Sequence, residues 1–255
     1  MKNFIILGTQ RTGSSALAES IGLNPMVACG WEWTLQVPWR QKLKVAERAL
    51  AGDFSFLIQK HQDHMAKAFD SRKTCLGFRR LFRSSSKWII HPRFCPALWL
   101  DRLEDHLHWL TKRTDIHIIH IVRRQGLDWL KSVYVARKAN VWVGKPYPEG
   151  IKVTIPMRKA VSRLRAKDWV DYRLATLADS NPYLRLNYED FLVDQNAVTA
   201  LALQFLQCDP KMMRIREPRV HKQSKGDVAD YVLNYDELLA KLDCLDLLTS
   251  PLDRP

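Results

Sequence analysis

A four-residue apolar run, Phe4-Ile5-Ile6-Leu7, stops at Gly8 and is followed by Gly8-Thr9-Gln10-Arg11-Thr12-Gly13-Ser14-Ser15. Ala16-Leu17-Ala18-Glu19-Ser20-Ile21 then reads as a helix. A short strand, apolar on both sides, that turns at a glycine into a helix belongs in a covered sheet. The same corner cradles anions, because backbone N–H groups and a helix N-terminus converge on it. The loop nearly spells GxxxxGK[ST], but Ser14 stands where that motif has Lys. The basic residue lies inside the loop instead, at Arg11.

The rest of the chain continues the alternation. Residues 24–40 read as irregular, 41–70 as mostly helix, and 74–78 as a short strand. Residues 97–112 read as helix and 116–122 as the clearest strand. Helices follow at about 127–138 and 157–180, a strand at 183–187, and a helix at 198–206. The tail from 209 reads as irregular, with one helix near 235–242. This order predicts an α/β fold: a P-loop-like, mainly parallel sheet with helices on both faces. Its 255 residues suffice for a single domain spanning 1–255.

A second corner follows the strand at 116–122, in Arg123-Arg124-Gln125-Gly126 and on through Ser132. In a parallel sheet it faces the same edge as the first, where ligands bind. An arginine fork with a hydroxyl suits a second phosphate; a solvated helix start is the plainer alternative. Together the corners suit a ligand phosphorylated at two separate carbons.

At this point the sequence resembles the sulfotransferases that use 3′-phosphoadenosine 5′-phosphosulfate (PAPS). Their first loop has the form GxxRSGSS or GxxKSGTT, matched by Gly8 to Ser15. Their second motif resembles Ile121-Val122-Arg123-Arg124 through Ser132 and Ala136. Gly77-Phe78-Arg79-Arg80-Leu81-Phe82, Leu186-Asn187-Tyr188-Glu189-Asp190-Phe191, and His221-Lys222-Gln223-Ser224 to Asn234-Tyr235-Asp236-Glu237-Leu238 resemble segments of the bacterial carbohydrate and nodulation-factor branch. The resemblance implies the sulfotransferase fold and PAPS as sulfuryl donor. Gln10, Arg11, Thr12, Gly13, Ser14 and Ser15 would then hold the phosphosulfate. Arg123, Arg124 and Ser132 would hold the 3′-phosphate, the eight-residue spacing favouring Arg124, and Lys222 would close over the nucleotide.

Sulfuryl transfer needs positioning, cations at the leaving oxygen and a base for the acceptor hydroxyl. Arg11 is the candidate cation. Glu32, between Trp31 and Trp33, is the candidate base, because aromatic neighbours desolvate a carboxylate and raise its pKa. His61, His64 and His91 are the rival bases. Trp142 and Tyr147 are candidates for the acceptor site or for a dimer contact.

The expected activity moves a sulfuryl group to a hydroxyl of a carbohydrate, glycolipid or other small molecule. A P-loop small-molecule kinase is the alternative enzyme, disfavoured by the missing Lys. A non-catalytic binder of nucleic acid or another polyanion is the alternative suggested by the net charge of +13. Five scattered cysteines with no paired spacing predict reduced thiols and no metal site. The first apolar run is too short for a signal core or a membrane span. The expectations are a cytoplasmic protein with no membrane span and no nucleic-acid partner, with a homodimer as a candidate assembly.

Overall fold

The computed structural model of the chain describes residues 2–30, 75–82, 97–142, 145–212 and 226–253. Five strands are β1 Lys2–Thr9, β2 Val27–Gly30, β3 Cys75–Phe82, β4 Ile116–Val122 and β5 Tyr183–Asn187. Every pairing is parallel, in the order β2-β3-β1-β4-β5. The helices of the described residues are α1 Ser14–Ile21, α2 Ala97–Thr111, α3 Gly126–Ala139, α4 Met157–Ala175, α5 Tyr188–Val193, α6 Gln195–Phe205, α7 Val228–Tyr231 and α8 Tyr235–Cys244.

The apolar runs explain the central strands. Phe4 and Ile6 of β1, with Ile119 and Ile121 of β4, pack against α1 and α6 on one face. Ile5 and Leu7, with Ile116 and Ile118, pack against α2 and α4 on the other. Successive side chains of a strand point to opposite faces, so a strand covered on both must be apolar throughout. β5 is an edge strand and carries the exposed, ion-paired Arg185. A third apolar cluster joins α3 and α4 to α7 and α8.

The strand order places the site. The chain builds β2 and β3 on one side of β1, then crosses to β4 on the other. The order therefore reverses between β1 and β4, and a crevice opens beyond their carboxyl ends at such a point. Leu7 pairs with His120, and Val122 with Asn187, so β1, β4 and β5 all end at this edge.

Three local expectations are corrected. Residues 24–40 hold the strand β2, whose four residues are too few to show a period. The strand expected at 74–78 runs on to Phe82, beyond the arginines at 79 and 80. The six-residue helix α5 had no sequence signal of its own, and α7 adds a short helix to the tail. The helix expected at 41–70 lies outside the described residues.

Candidate active site

The first loop is held in shape by its own residues. Thr12 is buried, and its hydroxyl, expected to serve a phosphate, donates instead to the Thr9 carbonyl at 2.8 Å. Gly13 has φ 79° and precedes α1. A Cβ there would come within 2.5 Å of the Tyr188 ring, so glycine is required by conformation and by space. Ser14 is buried and Ser15 half-buried at the start of α1, where a helix N-terminus favours an anion. The Gln10 carbonyl accepts the indole N–H of the buried Trp129 at 2.8 Å, which ties the loop to α3.

Arg11 adopts φ 66°, a left-handed conformation that a non-glycine residue holds only against local strain. Its side chain crosses to the second corner. Nε donates to the Ser132 hydroxyl at 2.9 Å and Nη2 to the Tyr147 hydroxyl at 2.8 Å, while Nη1 donates to the Trp142 carbonyl. Burial lowers the pKa of Arg11, with Tyr147 opposing and Arg123 adding to the fall. The guanidinium nevertheless stays cationic, as arginine does in proteins.

The two arginines of the second corner have different surroundings. Arg123 is buried: it donates to the Arg11 carbonyl at 2.8 Å, pairs with Asp128, and lies 4.5 Å over the Tyr188 ring. Asp128 also meets Lys131 at 2.6 Å. Burial would raise the Asp128 pKa, but Arg123 and Lys131 hold it down at about 2. Arg123, expected as a phosphate contact, is held inside the fold by these partners. Arg124 is 38% exposed and meets Asp190 at 2.8 Å and Glu189 at 3.6 Å. The Glu189 carboxylate also accepts the backbone N–H groups of Arg124 and Gln125, at 3.1 and 3.0 Å. An acidic side chain therefore holds the two backbone N–H groups that lead into α3. Ser132, two turns further on, is the hydroxyl that Arg11 reaches.

Gln10, Arg11, Thr12, Gly13, Ser14, Ser15, Arg123, Arg124 and Ser132 are thus gathered at one sheet edge. Glu32, His61, His64, His91 and Lys222 lie outside the described residues. Sequence reasoning missed Asp128, Trp129 and Glu189. The i, i+3 spacing of Asp128 and Lys131 was a usable signal for one of them; the others depend on contacts distant in sequence. The motif at 186–191 contains Tyr188, but its packing against Gly13 and Arg123 depends on the tertiary structure. Among the described residues no group of three or more His, Cys, Asp or Glu is placed to hold a metal ion. No helix among them is long and apolar enough to cross a membrane.

No family model and no curated protein sequence matches the chain. Solved structures do. A sulfotransferase from Alicyclobacillus acidocaldarius is similar at 16% identity and a TM-score of 0.47, over 96% of this chain and 94% of that one. The sulfotransferase domain of the Synechococcus PCC 7002 olefin synthase is similar at 17% identity and 0.43, over 93% and 84%. The sulfotransferase domain of the curacin biosynthetic pathway is similar at 13% and 0.41, over 89% and 80%.

Proposed function

We propose that this chain is a PAPS-dependent sulfotransferase that sulfates a hydroxyl of a carbohydrate, glycolipid or other small molecule. The observation that carries the reading is the bond from Arg11 Nε to Ser132 Oγ. It brings the two strand-to-helix corners together at the switch point between β1 and β4, an arrangement that suits a doubly phosphorylated nucleotide.

The residues present suit such a donor. Gly13, Ser14 and Ser15 offer a glycine-bounded helix start to the 5′ end. Arg124 and Ser132 offer a fork and a hydroxyl to the 3′-phosphate. When bound, PAPS supplies the sulfuryl group and a stable leaving group, adenosine 3′,5′-bisphosphate. Arg11 brings positive charge to the edge where negative charge grows on the leaving oxygen, in surroundings shielded enough to strengthen it. Glu32 is the proposed base that takes the acceptor proton, with His61, His64 and His91 as rivals, and Lys222 the proposed late cation over the nucleotide. The kinase reading keeps the same loop but has no Lys at position 14 to reach a β- or γ-phosphate.

Thermal unfolding with adenosine 3′,5′-bisphosphate, ATP–Mg²⁺ and a nucleic-acid oligomer tests this. At a hundredfold excess over Kd the bisphosphate should stabilise the fold by about 2.7 kcal/mol. Stabilisation by ATP–Mg²⁺ with none by the bisphosphate would overturn the reading.

A further inference from the structure

The charge of Arg11 serves a transfer step only while its head group keeps one direction. Two hydroxyls and one carbonyl set that direction. Nε donates to Ser132 Oγ, Nη1 to the Trp142 carbonyl and Nη2 to the Tyr147 hydroxyl. Each nitrogen of the planar guanidinium thus has a partner, and three points fix a plane.

The two hydroxyls are not equivalent. A hydroxyl has one proton to donate and accepts as well. Ser132 accepts from Arg11 and, as a 3′-phosphate contact, would give its proton to the ligand. Tyr147 accepts from Arg11 at 2.8 Å and donates its own proton to the Ser132 carbonyl at 3.4 Å. Both bonds of the phenol therefore end within the protein, one on Arg11 and one on the backbone of α3. Its ring packs against the third apolar cluster, which joins α3 and α4 to α7 and α8. Pro146 and Pro148 flank it in the chain. Proline fixes its own φ, and Pro148 also biases the residue before it towards extended backbone. A rigid ring on a stiffened stretch of chain holds a hydroxyl in place at little entropic cost. Burial lowers the pKa of Arg11 and Tyr147 opposes the fall, so the phenol favours the charged form that it orients.

We propose that Tyr147 is a positioning residue: its hydroxyl aims the Arg11 guanidinium at the 5′ end of the bound nucleotide, where charge grows on the leaving oxygen. A cation already aimed there needs no reorganisation when that charge develops. The proposal rests on the sulfotransferase reading and deepens it, giving a task in the transfer step to a residue outside both corner motifs.

The test is isothermal titration of the full chain with adenosine 3′,5′-bisphosphate and with adenosine 3′-phosphate, which lacks the 5′ group. Tyr147→Phe removes the hydroxyl and keeps the ring in its apolar contacts. It should weaken bisphosphate binding by about fivefold. It should change binding of adenosine 3′-phosphate by less than about twofold. In an Arg11→Ala background the same substitution should change bisphosphate affinity by less than about twofold, because the group it positions is gone. A hydroxyl that only stabilised the fold would weaken both nucleotides alike, with or without Arg11. Equal weakening of the two nucleotides, no weakening of the bisphosphate, or an undiminished effect in the Arg11→Ala background overturns the proposal, while bisphosphate binding by the wild type leaves the sulfotransferase reading intact. Failure of the wild type to bind the bisphosphate overturns both.

Discussion

Arg11 Nε and Ser132 Oγ lie 2.9 Å apart although 121 residues separate them in the chain. One belongs to the loop after β1, the other to the second turn of α3. Their contact makes two strand-to-helix corners a single site. A double-mutant cycle of Arg11→Ala and Ser132→Ala, read as adenosine 3′,5′-bisphosphate affinity, should give a coupling of about 1 kcal/mol. That equals roughly a fivefold departure from additivity. Strict additivity would show that the corners bind independently.

Arg123→Ala and Arg124→Ala should separate fold from ligand. Arg123 is 3% exposed and neutralises the half-buried Asp128, so its loss leaves an under-compensated charge. Urea denaturation should show a cost of about 3–5 kcal/mol. Arg124 is 38% exposed and its partner Asp190 51%. Its loss should change stability by less than about 1 kcal/mol. It should instead weaken adenosine 3′,5′-bisphosphate binding by about tenfold, with adenosine 5′-phosphate less affected. Equal weakening of both nucleotides would remove Arg124 from the 3′-phosphate.

Gly13→Ala should destabilise the loop. It places a Cβ at φ 79° and within 2.5 Å of the Tyr188 ring. The expected cost is about 1–3 kcal/mol in chemical denaturation. Tyr188→Ala in the same chain should relieve the clash but not the backbone strain, so rescue should be partial. Full rescue would make the ring the whole constraint.

Asp128 should impose an acid limit on stability. Its folded pKa, held at about 2, lies below the unfolded value near 3.9. A depressed carboxyl stabilises the fold above the unfolded value, and the benefit is lost as pH falls from about 4 towards 2. Its size at neutral pH is about 2–3 kcal/mol. Denaturation at pH 7 and pH 3 should show the advantage of wild type over Asp128→Asn shrinking at the lower pH. A constant difference would mean that Asp128 does not titrate in this way.

Several features were legible in the chain because they are local. The apolar runs of β1 and β4 announce strands covered on both faces. Gly8 and Gly13 bracket a loop that turns into a helix. Arg124 and Ser132 stand two helical turns apart. The strand β2 was not legible, because its four residues owe their conformation to pairing with β3. Glu189 lies within a recognisable motif, yet nothing local indicates that its carboxylate would accept the backbone N–H groups of Arg124 and Gln125, 65 and 64 residues earlier.

The sequence by itself determined the parallel α/β class, the two loops and the chemical types that line them. Those follow from periodicity, glycine placement and charge, which act over a few residues. Tertiary structure decided which residues meet. The two adjacent arginines illustrate this: the chain lists them as equivalents, but packing buries Arg123 against Asp128 and Tyr188 and leaves Arg124 at the surface. Burial makes a cation dependent on its nearest carboxylate, whereas exposure leaves its head group within reach of solvent. That division of labour arises from the environment each guanidinium occupies once the sheet has formed.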